Sequence, residues 1–184
     1  MKTFLPGYNV KKAAQVAAFF IIKEGGKINI LKLTKLIYLS DRSFLERYDS
    51  PILYDRLVSM PFGPVNSITY NYTSGGLEDP DWDACISDRE GHNLGLASPF
   101  TVTDLDELSR AELEVLESVW SAYGHMDRFE ISDFTHEHCK EWVDPEGSSQ
   151  PIHYKTLLEF LGKKDCAMLA QAIEEERSVK TAWA

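Results

Sequence analysis

The sequence predicts a mainly α (α+β) fold, a single compact helical domain of about six or seven helices with a small β-hairpin. Apolar residues recur at intervals of three and four along several segments, which is the spacing of amphipathic helices. Asparagine, serine and glycine stand at the ends of these segments, where helix caps are expected. Between residues 84 and 97, two short apolar runs flank a polar turn that contains glycine, which is typical of a hairpin.

Length and composition are those of one globular domain. The chain has 184 residues, of which 43% are hydrophobic and 11% aromatic, and this is enough to bury one core. We expect one domain over residues 1–184, with a motif-bearing core at about 10–142 and a C-terminal helical extension at about 152–180. The longest apolar run, Ala13–Ile22, is roughly half of a membrane span, and no small-residue cleavage site follows it. We therefore expect a cytoplasmic protein with no membrane partner.

Helix boundaries follow from caps and breakers. Asn9 and Asn29 are expected to cap the first two helices. Gly63-Pro64 is expected to form an elbow that starts the third helix, because proline is preorganised for a first helical turn. A capping box opens the fourth helix at Ser109. The predicted helices span residues 9–24, 29–48, 64–73, 109–124, 127–140, 153–161 and about 165–179.

The second predicted helix has a clear separation of faces at 100° per residue. Its apolar stripe consists of Ile30, Leu33, Ile37 and Phe44, with Leu36 at the edge. The residues outside that stripe are Lys32, Lys35, Tyr38 and Arg42. Aromatic and arginine side chains often anchor protein interfaces, so we expect these four to face away from the core and contact a partner. An ordinary solvated helix face is the alternative. Asp41 lies at the boundary of the stripe, where it could cap, pair with a base or face a ligand.

Charge is distributed unevenly along the chain. The net charge is −10, yet the first fifty residues carry nine basic and four acidic side chains, against ten and twenty-five in the remainder. Binding to nucleic acid depends on neutralising phosphates, so this balance makes nucleic acid an unlikely partner. A basic face on the N-terminal helices suits an oppositely charged protein partner better. The alternative is that the charge only keeps the protein in solution.

The residues offer little support for catalysis. His136, His138 and Cys139 form the densest cluster of reactive side chains. However, the two histidines are about 200° apart on a regular helix, whereas zinc helices place ligands three or four residues apart. The other cysteines, Cys85 and Cys166, lie 54 and 27 residues from Cys139, which fits neither a disulfide framework nor a thiolate site. We expect no metal, no cofactor and no catalytic residue.

Three short segments carry a family resemblance. The first is Leu33-Thr34-Lys35-Leu36-Ile37-Tyr38, followed by Asp41. The second is Phe62-Gly63-Pro64-Val65, followed by Tyr70, and the third is Thr135-His136-Glu137-His138-Cys139-Lys140-Glu141-Trp142. In this order they resemble the LxKLxYxxD helix, the GPV elbow and the Thr-His…Trp element of the SocA-like antitoxins, also called the Panacea domain family.

The resemblance extends over residues 10–142, with one departure. Within Cys139-Lys140-Glu141, close before the tryptophan, the family pattern has a proline that this sequence lacks. Residues that match the family motifs, and to which we assign structural roles, are Leu33, Leu36, Asp41, Gly63, Pro64, Val65, Tyr70, His136 and Trp142. We expect His136 and Trp142 to be packing anchors for the last helices in preference to binding residues.

The resemblance implies an antitoxin, not an enzyme, that neutralises a toxin encoded by the adjacent gene by binding it directly. The SocA branch is also associated with delivering its toxin to a protease, so an adaptor role is a further implication. Lys35, Tyr38 and Arg42, together with Lys32, then become the expected toxin contacts.

Two other functions are kept as alternatives. A transcriptional regulator of helix-turn-helix type would account for the positive first fifty residues and for the Gly25-Gly26 joint between two helices. A hydrolase or transferase would use His136, His138 and Cys139.

Overall fold

This computed structural model describes residues 7–179, which contain eight α-helices and five short β-strands. The helices are α1 (Val10–Glu24), α2 (Ile30–Tyr48), α3 (Ser67–Thr73), α4 (Pro80–Asp83), α5 (Arg110–Tyr123), α6 (Arg128–His138), α7 (Tyr154–Phe160) and α8 (Cys166–Val179). The strands are β1 (Lys27–Asn29), β2 (Leu57–Met60), β3 (Gly63–Asn66), β4 (Asn93–Gly95) and β5 (Gln150–Ile152). The predicted mainly α class with a small β part is confirmed. Residues 1–6 and 180–184, which belong to the predicted domain, lie outside the described residues.

Local capping explains the two longest helices. The side chain of Asn9 accepts a hydrogen bond from the Lys12 backbone at 3.0 Å, and Asn29 does the same for Leu31. Gly25 ends α1 in the left-handed region, with φ +99°. These caps satisfy backbone groups that a helix end leaves unpaired. The boundaries predicted for both helices are therefore confirmed.

Helix α2 lies at the centre of the molecule. It contacts α1, α3, α5 and α6, as well as β1 and β3. Residues 32–41 are all buried, including the polar ones. The predicted outward face is therefore wrong for Lys32, Lys35 and Tyr38, because neighbouring elements cover this helix on every side over these turns.

The Gly63-Pro64 elbow begins a strand and not a helix. Strand β3 pairs antiparallel with β2 through Met60↔Gly63 and Leu57↔Asn66, and α3 begins only at Ser67. Proline is tolerated here because β3 is an edge strand, in the sheet order β3-β2-β5, where no ladder donor is required. The predicted start of the third helix was thus wrong by three residues. Strand β5 lies between the helices predicted at 127–140 and 153–161, where no strand was expected.

The predicted hairpin forms only in part. Two isolated antiparallel bridges join Ile86 to Leu96 and Glu90 to Asn93, but β4 pairs mainly with β1, placing Leu94 opposite Ile28. Both of these residues are buried. Strand β1, from a distant part of the chain, thus takes the place of the first strand of the predicted hairpin as the partner of β4, and apolar burial holds the pair against the helices.

One hydrophobic cluster connects the described elements. It extends from Tyr8, before α1, to Ile173 in α8, and includes residues of α2, α5 and α6. No helix within residues 7–179 is long and apolar enough to cross a membrane.

Gly63→Ala tests the close packing of β3 against α2 and α6. Gly63 has φ +107°, and an added Cβ would lie 2.5 Å from Thr135 Oγ1 and 3.2 Å from Lys35 Nζ. We expect the substitution to lower the free energy of unfolding by about 3 kcal/mol, from backbone strain together with overpacking. Denaturant titration measures this.

Gly25→Ala is the matched control, since Gly25 has a similar φ of +99° but nothing within 4 Å of the added Cβ. It should cost only about 1 kcal/mol, the cost of the left-handed backbone alone. Equal losses in the two variants would show that the contact with Thr135 is unimportant.

Candidate functional site

Tyr38 and Arg42 converge on one buried carboxylate. The Tyr38 hydroxyl and the Arg42 Nε each donate to Glu141 Oε1 at 2.8 Å, and Arg42 Nη2 reaches Oε2 at 3.4 Å. The Glu141 side chain is 0% exposed, whereas that of Arg42 is 21% exposed. Burial, and then the charge of Glu141, raise the pKa of Tyr38 well above its ordinary range. Both side chains are therefore engaged inside the molecule.

Glu141 was not identified from the sequence as a functional or structural residue. It lies in the segment that departs from the family pattern, directly before Trp142. A buried charge requires a partner, but with Arg42 expected to face solvent, no sequence pattern indicated that a buried carboxylate exists. Sequence alone did not say which of the many acidic residues supplied it.

Lys32 is also paired internally. Its Nζ donates to both carboxylate oxygens of Glu24, at 2.7 and 3.0 Å, and to the Gly124 carbonyl oxygen at 2.8 Å. The ammonium lies 5.3 Å from the centroid of the Trp120 ring. These contacts join the ends of α1 and α5 to the first turn of α2.

Lys35 differs from these residues because no carboxylate compensates it. The side chain is 1% exposed, and its Nζ donates to the Pro64 carbonyl oxygen at 2.9 Å. Within residues 7–179, no Asp or Glu forms an ion pair with it. Burial consequently lowers the pKa of Lys35 from 10.5 to about 7, opposed only by the nearby Cys139. A buried amine with this pKa can be charged or neutral near physiological pH.

Lys35 also lines an open cavity of about 550 Å³, which we call the basic groove. Apolar side chains on its walls are Ile30, Leu31, Met60, Phe62, Val65 and Phe129. Its basic lining residues are Lys35, Arg89, His92 and Arg128, and none of the lining residues is an aspartate or glutamate. The groove lies between the first turns of α2 and α6, the β2–β3 turn and the loop before β4.

Two exposed aromatic rings lie on the walls of the basic groove. Phe62, in the β2–β3 turn, is 59% exposed, and Phe129, in the first turn of α6, is 53% exposed. The turn is tied to α6 because Ser132 Oγ donates to the Phe62 carbonyl oxygen at 2.7 Å. Neither phenylalanine was predicted as a site residue, since an isolated apolar residue in a turn gives no sequence indication of its neighbours.

The residues of the family motifs are mainly buried. Leu33 and Leu36 belong to the hydrophobic cluster, and Gly63, Pro64 and Val65 are buried in β3. Tyr70 is half-buried and lines the basic groove, as does Val65.

His136 and Trp142 stack on each other, their ring centroids lying 4.0 Å apart. Trp142 Nε1 donates to the Met60 carbonyl oxygen at 2.9 Å. This hydrogen bond holds the turn after α6 against β2. A role of either residue in binding stays untested.

Asp41 organises the chain between α2 and β2. Its Oδ1 accepts from the backbone N–H groups of Ile52 and Leu53, at 2.5 and 3.2 Å, and its Oδ2 accepts from Asn66 Nδ2 at 2.8 Å. Burial raises the pKa of Asp41 from 3.8 to about 6, and these hydrogen bonds act in the opposite direction. The sequence left three roles open for Asp41: capping, pairing with a base or facing a ligand. The structure shows the first, since Asp41 accepts hydrogen bonds from backbone N–H groups.

Asp55 has a similar role and was missed in the sequence. It is fully buried and accepts from the N–H groups of Ile68 and Thr69, at 2.8 and 2.9 Å, and from Thr69 Oγ1 at 2.7 Å. It thereby caps α3, because Asn66 forms no side-chain cap there. A cap supplied from twelve residues upstream carries no local sequence pattern.

The cluster considered for catalysis does not converge. The His136 ring lies on Trp142, whereas His138 lies on Phe134, with a centroid separation of 4.1 Å. Burial raises the pKa of the Cys139 thiol to about 12, which disfavours the thiolate that acts as a nucleophile. In the part of the chain that the structure describes, no three His, Cys, Asp or Glu side chains are grouped to hold a metal ion.

The basic residues of the N-terminal helices are largely paired within the fold. The ion pairs are Lys11–Asp106, Lys12–Glu112, Lys23–Glu117, Lys27–Glu90, Lys32–Glu24 and Arg42–Glu141. Most of the acidic partners come from the acidic remainder of the chain. The expectation of a free basic face on these helices is therefore wrong, because the uneven charge of the sequence is matched internally.

Lys35→Met tests the cost of the buried amine. The pKa of Lys35 is about 7 in the folded chain, against an ordinary value of 10.5. Between pH 7 and pH 10.5 the unfolded chain therefore binds a proton that the folded chain lacks. Stability should therefore rise with pH across this window. We expect methionine to raise the free energy of unfolding by about 2 kcal/mol at pH 6 and by less at pH 9, as measured by denaturant titration at both values.

Lys32→Met is the control, since Lys32 has Glu24 as a partner. It should lower stability at pH 6 and leave the rise of stability above pH 7 in place. If Lys35→Met destabilised the protein equally at both pH values, the cost assigned to the uncompensated amine would be wrong.

Comparison with known protein families matches residues 33–143 to the family described as antitoxin SocA-like, Panacea domain. This match covers more than half of the chain, from α2 to the turn that follows Trp142. Comparisons with curated proteins and with solved structures gave no match. The resemblance carried by the three short segments is thereby confirmed: the chain belongs to the SocA-like antitoxin family, characterised by the Panacea domain.

Proposed function

We propose that this protein neutralises a cognate toxin protein by binding it directly, and that it does so in the cytoplasm as a single domain. Family membership over residues 33–143 is the observation that carries the proposal. The hydrophobic cluster that extends from Tyr8 to Ile173 supports one folding unit. A toxin encoded by the adjacent gene is the expected partner, and delivery of that toxin to a protease stays a prediction.

The four residues expected to contact the toxin differ in whether an acidic residue of this chain already binds them. Lys35 lines the basic groove. Tyr38 and Arg42 hold Glu141, and Lys32 holds Glu24. Toxin contact by these last three stays a prediction, and it would require them to exchange internal partners for external ones.

The helix-turn-helix alternative has less support. Its recognition helix would be α2, because α2 follows the Gly25-Gly26 joint. Such a helix must offer side chains to the major groove of DNA, but residues 32–41 are buried. Most of the positive charge that motivated this alternative is engaged in ion pairs. The hydrolase or transferase alternative is weakened in turn by the separation of His136 from His138.

Co-expression tests the proposal directly. The product of the adjacent gene should arrest growth when it is expressed alone, and the full chain should restore growth and co-purify with that product. A catalytically inactive toxin variant, if expressed with a tag, should also retain the chain through several washes. If the adjacent product is harmless, or if growth returns without any complex, neutralisation by binding is wrong.

Tyr38→Phe separates internal support from toxin contact. Loss of the hydroxyl removes a hydrogen bond to the buried Glu141, so we expect the free energy of unfolding to fall by about 1–2 kcal/mol. Thermal unfolding measures that change, and titration against the toxin measures affinity. Weakened toxin binding at unchanged stability would instead establish Tyr38 as a contact residue and contradict its supporting role.

A further inference from the structure

We propose that the basic groove is the toxin-binding site, and that it takes a toxin segment in which a carboxylate side chain stands beside apolar ones. The inference rests on the proposed function and adds to it the surface used and the chemistry recognised. Three features of the groove support it: its apolar walls, the sign of its charge and the state of Lys35.

The walls provide the apolar part of the contact. Phe62 and Phe129 each expose more than half of their surface, at an open cavity of about 550 Å³ that also includes Ile30 and Leu31. This volume lies within the roughly 300–1,000 Å³ typical of binding cavities. Aromatic side chains are enriched among the residues that dominate binding energy. A partner's apolar side chains would remove both rings from water.

The charge of the groove selects an anionic partner. The chain as a whole carries 29 acidic and 19 basic residues, yet the cavity is lined by Lys35, Arg89, His92 and Arg128 and by no acidic residue. Arg89 donates to backbone carbonyl oxygens of Ser74 and Gly91, and the Arg128 guanidinium lies 4.7 Å from the centroid of the Phe129 ring. These contacts leave the net positive charge of the groove in place, whereas most basic residues of α1 are paired with carboxylates.

Lys35 and the first turn of α2 add to this preference. Ile30 and Leu31 belong to that turn and line the cavity, so the positive end of the helix dipole lies at the wall. The Lys35 amine is buried and has the Pro64 carbonyl oxygen as its acceptor, with no carboxylate from residues 7–179. A carboxylate brought by the toxin would stabilise the charged form of this amine. The free protein therefore lacks a counter-charge that its partner can supply.

Phe129→Ala and Phe160→Ala form a matched pair, because both phenylalanines are 53% exposed and only Phe129 lines the groove. The probe is the purified product of the adjacent gene, titrated against the full chain by calorimetry. We expect Phe129→Ala to weaken binding at least tenfold and Phe160→Ala by less than threefold. Thermal unfolding of both variants checks that they remain folded.

Arg128→Glu and Arg110→Glu form the second pair, since both arginines are exposed and the change in net charge is the same. Arg110 lies on α5, away from the groove-lining residues. We expect Arg128→Glu to weaken binding at least tenfold and to reduce the dependence of affinity on salt concentration. Arg110→Glu should leave both within threefold of the unsubstituted chain.

The outcomes separate the two proposals. If the unsubstituted chain binds the toxin and all four variants bind it equally well, neutralisation by binding stands and the groove is not the site. If the unsubstituted chain does not bind the toxin, both proposals fail. If the chain alone is a dimer that Phe129→Ala converts to a monomer, the groove holds a second copy and our assignment of a toxin segment is overturned.

Discussion

Burial of α2 around its whole circumference over residues 32–41 is the constraint on which the rest of this structure depends. A buried polar group is costly unless it is hydrogen-bonded, and α2 carries polar or charged side chains through its buried turns. Four of them are paired with other parts of the chain: Lys32 with Glu24, Lys35 with Pro64, Tyr38 with Glu141 and Asp41 with the backbone at Ile52. The polar residues of α2 therefore specify which elements surround it, whereas its leucines and isoleucines supply much of the buried apolar area.

Asp41 and Asp55 position the chain between α2 and α3 in the same way, by hydrogen bonds from buried side chains. Asp41 receives backbone donors that follow α2, and Asp55 receives those that begin α3. Burial raises the pKa of both carboxyl groups, and hydrogen bonds from Thr69 and Asn66, among others, act against that rise. Two internal carboxylates thus hold the two ends of the connection between α2 and α3.

Local interactions explain how much could be predicted from the sequence. The helix ends at Asn9, Asn29 and Ser109 were predictable, because capping depends on residues two or three positions apart. The family could also be identified from short segments. The pairing of β4 with β1 could not be predicted, since register between distant strands is decided by burial of Ile28 against the helices and not by neighbouring residues.

The candidate site was harder to predict than the fold, for a physical reason. A helical wheel assigns polar residues to solvent, and this assumption fails for a helix that is covered on all sides. Lys35 and Tyr38 were placed outside on that basis. Glu141, the buried partner of Tyr38, comes about a hundred residues later. Phe62 and Phe129 line the same groove because β3 and α6 both pack on α2.

The family motifs have a joint consequence at the basic groove. Lys35 of the α2 motif donates to Pro64 of the β3 motif, and the Gly63 backbone approaches both Lys35 and Thr135 too closely for a side chain. These residues therefore form the skeleton that positions the β2–β3 turn and its exposed Phe62. At the same contact these residues keep the Lys35 amine buried without a carboxylate partner. A methionine of similar length would fill the space with a smaller loss of stability. Since stability alone does not favour such an arrangement, its presence at the wall of an open, acid-free cavity is explained most simply by a partner that supplies the missing negative charge.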